Sequence, residues 1–213
     1  MNDPLIDSLV KDLNPKNPLL NYKLWLHCTA CLLLISAMIL GFLGLRDDYT
    51  NSIQAGSMFW KPGIFLLTWL SSVLLIIDIS RPTGSLKRFH ALPLIASIFI
   101  IGWQFTVQAQ YYSIEEMFAV LRDKSAFVCL PTIFICGAFA MLMAWKFWLS
   151  KTASMRPILL GVLSGLSAGS LAATAYALHC TKDAALYISV YYILPILLLS
   201  IIGGFLGKKY LRW

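Results

Sequence analysis

The sequence predicts an all-α, polytopic membrane protein with six transmembrane helices and with the N- and C-termini both cytoplasmic. Three observations carry that expectation. Of 213 residues, 59% are hydrophobic and 13% charged, with a mean hydropathy of +0.74, which is too apolar a balance for a water-soluble domain. The apolar residues gather into six long runs nearly free of charge, and a helix needs about 20 such residues to cross hydrocarbon while satisfying its own backbone hydrogen bonds. The basic residues, finally, divide unevenly between the two sides of those runs.

The spans are expected at about 24–45, 58–79, 91–109, 129–149, 158–178 and 187–207, within a single membrane domain covering 1–213. Pro62, Pro93, Pro131 and Pro157 fall near the first turns of spans, where a missing N–H costs little. Pro195 sits inside the last span and predicts a kink. The first span is too long for a signal peptide's apolar region and lacks a small-residue cleavage pattern, so it reads as retained. Of the 17 Lys and Arg residues, only Arg46, Lys61, Arg122, Lys124 and Lys182 fall on one side. The twelve-residue side is cytoplasmic by the positive-inside rule. The net charge of +7 is then mostly a topology signal and argues against direct nucleic-acid binding, which clusters basic residues on one soluble face.

Segment 1–23 carries a short amphipathic pattern. Asp3-Pro4 is a cap and a first-turn proline, and Asn14-Pro15 is a stop, which predicts a helix over 4–13. Leu5, Ile6, Leu9, Val10 and Leu13 form one apolar stripe, with Asp7, Lys11 and Asp12 facing away. A helix lying on anionic lipid is normally rich in Lys and Arg. This one is acidic and suits a groove in a basic protein, folding as it binds because ten residues are too few for a stable isolated helix. Docking on the loops of its own bundle is the alternative.

Between the third and fourth spans, Ser113-Ile114-Glu115-Glu116 is a capping box leading into Met117, Phe118 and Leu121, which predicts a short interfacial helix. Gly161, Gly165 and Gly169 in the fifth span form a ridge of small residues that admits another helix closely, and Gly203, Gly204 and Gly207 answer it in the sixth. The short 179–186 turn favours packing within this hairpin, with a homodimer face as the other reading. Asp78 and Arg81 make a local pair. Lys61 is placed to snorkel. Gln104 and Gln108 are too few for a transporter path.

Chemistry falls to the cysteines. Cys129 opens the fourth span and Cys180 lies just past the fifth, so both reach the outer face. They can form a permanent disulfide, remain unrelated buried thiols, or act as a redox or soft-metal sensor. His179, with Lys182 nearby, is placed to raise the thiolate fraction. Cys28 and Cys31, one turn inside the first span on the cytoplasmic side, read as small packing residues, as does Cys136. His27, His90 and His179 offer no metal pair. No phosphate-binding loop, carboxylate pair, nucleophile elbow or cofactor motif is present, and the chain does not read as an enzyme. The competing class is a quinone-linked thiol-disulfide oxidoreductase, which normally presents Cys-x-x-Cys on the outer side, whereas the one here is cytoplasmic.

Arg156-Pro157, Tyr176-Ala177-Leu178-His179-Cys180, Leu211-Arg212-Trp213, Cys129-Leu130 and the Leu5-Ile6-x-x-Leu9 segment together resemble the negative regulators of sigma F, the NrsF-type anti-sigma factors of Gram-negative bacteria. The resemblance runs through most of the chain. It implies a six-span inner-membrane regulator that holds an extracytoplasmic-function sigma factor and releases it under heavy-metal or oxidative stress, with two outer-face cysteines, here Cys129 and Cys180, implicated in the response. Lys182, where an acid is expected, and Tyr191-Tyr192, in place of a Trp-Tyr pair, depart from the pattern.

Overall fold

The computed structural model describes residues 18–54, 56–80, 86–152 and 154–211. The helix expected over 4–13, with Leu5, Ile6, Asp7, Leu9, Val10, Asp12 and Leu13, lies outside them. The described residues form α1 (Pro18–Leu43), α2 (Tyr49–Gln54), α3 (Ser57–Ile79), α4 (Leu92–Ala109), α5 (Ile114–Leu121), α6 (Ala126–Phe147), α7 (Pro157–Ala177), α8 (Ala185–Tyr191) and α9 (Ile193–Tyr210). Among the described residues six stretches are long and apolar enough to cross a membrane: Leu24–Leu43, Ser57–Ile79, Arg88–Ala109, Ala126–Phe147, Pro157–Ala177 and Ala185–Tyr210.

Local chemistry sets the joints. Gly56 ahead of α3 has φ 74°, a left-handed conformation that glycine adopts without a Cβ clash. Pro62 and Pro131 lie inside α3 and α6 and not in their first turns, because these helices begin earlier, at Ser57 and Ala126. The sixth span breaks at Tyr192. Pro195 has no N–H for the carbonyl of Tyr191, so the ladder lapses one turn ahead of it and the expected kink becomes a break between two helices. The helix expected between the third and fourth spans is α5. Ser113 accepts from the Glu116 amide at 3.3 Å while the Glu116 carboxylate takes the Ser113 amide at 2.7 Å.

α7 is the central helix, packed against α9, α3, α6 and α1. Its glycines explain how. A Cβ on Gly161 would strike the Gly203 carbonyl oxygen, and one on Gly165 would lie 2.5 Å from the Leu199 carbonyl carbon and 2.7 Å from Ser200 Cα. The ridge is thus filled within the hairpin, where small residues let backbones meet. α1 and α4 are peripheral, and Leu33, Phe42, Ile98, Phe99 and Trp103 face outward, as suits a surface meeting hydrocarbon.

The loops sort to two ends of the bundle. At one end Ser154 donates to the Ile79 carbonyl at 2.6 Å, and Pro157 lies against Gly207. There Asp78 engages His90 Nδ1 at 2.7 Å and the Lys87 amide at 3.2 Å, while Arg81, its expected partner, falls outside the described residues. The other end gathers Gly44, Arg46, Lys61, Asp123 and the chain from His179 to Asp183. This is the thiol end.

Candidate functional site: a buried thiol cluster at one end of the bundle

Cys129 sits in the first turn of α6, and Cys180 lies three residues beyond α7. The chain after α7 closes with a last turn in which the His179 and Cys180 amides both donate to the Tyr176 carbonyl, at 3.0 and 3.1 Å. That turn drives Cys180 back toward the bundle. Both thiols are free, Cys129 0% and Cys180 5% exposed. Three tyrosines join them. The Tyr187 and Tyr176 side chains interact with the Cys129 thiol, and that of Tyr192 with the Cys180 thiol. Cys129 Sγ also lies 3.8 Å from the Tyr191 carbonyl, the group that Pro195 cannot bond. The hydroxyl of fully buried Tyr192 has no nitrogen or oxygen partner among the described residues.

Beneath the cluster Lys61 is fully buried and does not snorkel to water. Its Nζ donates to the carbonyls of Cys180 at 3.0 Å and Lys182 at 2.7 Å, and approaches Asp183 Oδ1 at 3.4 Å. It also lies 5.1 Å from the centroid of the Tyr192 ring, which stacks on Phe65. A buried ammonium is tolerable when oxygens and an aromatic face replace its hydration, and the 180–183 backbone supplies them. The same turn is held from two further sides. Arg46, 3% exposed, grips Asp48 with two bonds of 2.6 and 2.8 Å and reaches Asp183 at 2.9 Å. Lys182 pairs with Asp123 at 2.5 Å.

Charge follows from these contacts. The Lys182 ammonium, then the Ser125 amide and hydroxyl, bring the Asp123 carboxyl down to about 2. Burial pushes the Asp183 carboxyl up, but the Arg46 hydrogen bond and the Lys61 charge outweigh it and hold it below its ordinary value. The Arg46 hydrogen bond likewise lowers Asp48. Lys182 was expected beside the Cys180 thiol, yet its ammonium is committed to Asp123, and the cation bonded to the Cys180 backbone is Lys61. His179 donates from Nδ1 to the Gly44 carbonyl at 2.9 Å, which ties the turn after α7 to the end of α1.

A cavity of about 240 Å³ opens at this end, its walls including Arg46, Ser125, Tyr176, His179, Cys180 and Lys182. Among the described residues no group of three His, Cys, Asp or Glu is arranged to hold a metal ion. The structure thus brings Cys129, His179 and Cys180 to one cluster. The remaining cysteines lie elsewhere: Cys31 Sγ is 3.7 Å from His27 Nε2, and Cys28, Cys31 and Cys136 are partly buried against the core. Sequence reasoning missed Lys61, Arg46 and Asp183. The available signal was Lys61 itself, a charge near the mouth of an apolar run that needs a buried partner.

The family described as "NrsF: Negative regulator of sigma F" matches residues 9–213. The chain is 32% identical over 179 residues to the "Anti-sigma-F factor NrsF" of Caulobacter vibrioides (strain NA1000 / CB15N), covering 83% of this chain and 82% of that protein. It is 28% identical over 180 residues to the "Probable anti-sigma-F factor NrsF" of Azospira oryzae (strain ATCC BAA-33 / DSM 13638 / PS), with the same two shares. No solved structure matches. A six-helix bundle matched from residue 9 to its last residue belongs to the NrsF family of negative regulators of sigma F.

Proposed function

We propose that this protein is an anti-sigma factor of the bacterial inner membrane that sequesters an extracytoplasmic-function sigma factor and releases it when Cys129 and Cys180 are oxidised or take up a soft metal ion. Family membership supports the holding activity. The sensing rests on one observation: two cysteines far apart in sequence share a buried cluster at the end of the bundle opposite the start of α1. The thiol end faces outward by the distribution of basic residues, and both termini are cytoplasmic.

Residues 4–13 supply the grip, with Leu5, Ile6, Leu9, Val10 and Leu13 laid in an apolar groove of the sigma factor and Asp7 and Asp12 turned to its basic rim. On the outer face two thiols give up two electrons and two protons to an oxidant as the S–S bond forms. Joining the start of α6 to the turn after α7 moves that turn, which Lys61 ties to α3. The far end of α3 carries Asp78 and Ile79, bonded to His90 and Ser154, so α3 links the thiols to the cytoplasmic loops. The signal must favour release by about 1.4 kcal/mol for each tenfold change in the bound-to-released ratio. Burial of both thiols disfavours the oxidoreductase reading, since a thiolate that attacks a protein disulfide must reach it.

The test is affinity capture in mild detergent of the full-length protein and of a form lacking residues 1–14, with partners identified by mass spectrometry. A sigma factor retained by the first and lost by the second is the expected result. Retention by both moves the grip to the loops, and retention by neither, with both inserted, contradicts the holding activity.

A further inference from the structure

The two thiols are not equivalent. Cys180 is among the residues lining the 240 Å³ cavity, as are Arg46, His179 and Lys182, whereas Cys129 is not. Cys129 is 0% exposed and lies behind that wall. Tyr176, which lines the cavity, and Tyr187, whose hydroxyl is 3.1 Å from the Oγ of the lining residue Ser125, both interact with the Cys129 thiol. The cavity therefore borders Cys180 directly, whereas Cys129 touches the lining residue Tyr176 and lies one residue further in. The walls suit a small polar reagent. Arg46 and Lys182 are cations already balanced by Asp48, Asp183 and Asp123, and the His179 ring lines the same space.

We infer that the cavity is the entry port for small polar oxidants of the hydroperoxide class, that Cys180 is the thiol attacked, and that Cys129 is the resolving thiol. This rests on the sensing half of the proposed function and assigns an order to it. In the first step the Cys180 sulfur attacks the near oxygen of hydrogen peroxide. The O–O bond breaks, and the departing hydroxide takes the thiol proton to leave as water, with Cys180 as a sulfenic acid. In the second step the Cys129 sulfur attacks the Cys180 sulfur. The S–S bond forms, the S–O bond breaks, and hydroxide leaves with the Cys129 proton as a second water. Two electrons pass to the peroxide in all. Holding the Cys180 backbone on Lys61 keeps the attacked sulfur at the port while α6 carries the resolving one.

The experiment uses purified full-length protein in detergent, treated with hydrogen peroxide in the presence of dimedone, with adducts located by peptide mass spectrometry. The expected results are a dimedone adduct on Cys180 in Cys129→Ser, about tenfold less adduct on Cys129 in Cys180→Ser, and a Cys129–Cys180 disulfide in the unsubstituted protein. Thr181→Trp, at an exposed lining position, is expected to slow Cys180 modification with no change in thermal melting, which separates blocking the port from misfolding. Adduct formation at Cys129 in Cys180→Ser as fast as at Cys180 in Cys129→Ser overturns the order, and so does absence of adduct from Cys180. An unaffected Thr181→Trp rate overturns the port. Labelling is read without any sigma factor, so a wrong partner assignment leaves this result intact, and a symmetric pair of thiols would leave the anti-sigma activity standing.

Discussion

The hairpin of α7 and α9 and the thiol end are both tightly buried, but opposite physics holds them. In the hairpin the contact is steric, one backbone against another. Gly161, Gly165, Gly203 and Gly207 bring two backbones so near that a single added carbon collides, and the contact admits one arrangement. At the thiol end, two buried cations and three carboxylates hold one short turn through hydrogen bonds that cross from the α1–α2 loop, from α3 and from the loop ahead of α6. Steric contact of the first kind fixes a scaffold, since packed interiors do not deform continuously. A polar clamp of the second kind can exchange partners when a thiol beside it changes its chemistry, so a switch belongs there and not in the hairpin.

The widest gap between the two regions is expected on substitution. Gly165→Val puts two methyl groups into the α9 backbone and should cost about 3 kcal/mol or more, read as loss of the folded fraction on unfolding in mixed detergent. If Gly165→Val melts like the parent, the hairpin is not the scaffold. Lys61→Met keeps the length and removes the cation, leaving the Cys180 and Lys182 carbonyls unbonded, at about 2 to 3 kcal/mol. Unlike Gly165→Val, it should also alter the peroxide sensitivity of Cys180, and unchanged sensitivity would sever the clamp from the thiols.

These expectations show how far the sequence could be read. The six spans were legible because long apolar runs have few other uses, and the glycine ridge because its four-residue spacing lies along one helix face. The Cys129, His179 and Cys180 grouping was legible from topology alone. The clamp was not. Lys61 looked like a cation free to reach water, and only the path of the 180–183 backbone over the end of α3 turns it inward. Lys182 looked like a neighbour of Cys180, yet successive residues of a loop point in different directions, and its ammonium goes to Asp123. Asp78 shows the same limit, since His90, twelve positions along, is brought to it by the 3₁₀ turn Arg88–Ala91.

Smaller effects sharpen the contrast. Ser113→Ala removes the capping box of α5 and should cost about 1 kcal/mol, confined to that helix and visible as faster amide exchange at Met117 without a change in thiol reactivity. The Asp123 carboxyl, brought to about 2 by Lys182, is depressed below its unfolded value of about 3.9. Its contribution is therefore complete above the unfolded value and is lost as pH falls through the folded one. The Tm difference between the parent and Asp123→Asn should be largest near pH 5 and shrink toward pH 2. A difference that stays constant over that window would mean the Lys182 pair contributes nothing.

The most direct test is retention of the sigma factor by the immobilised full-length protein before and after a thiol oxidant, compared with the Cys129→Ser/Cys180→Ser double variant. The expected result is release from the parent and continued retention by the double variant. Equal release from both, or retention by both while the parent forms the Cys129–Cys180 disulfide, would contradict control of the sigma factor by these two thiols.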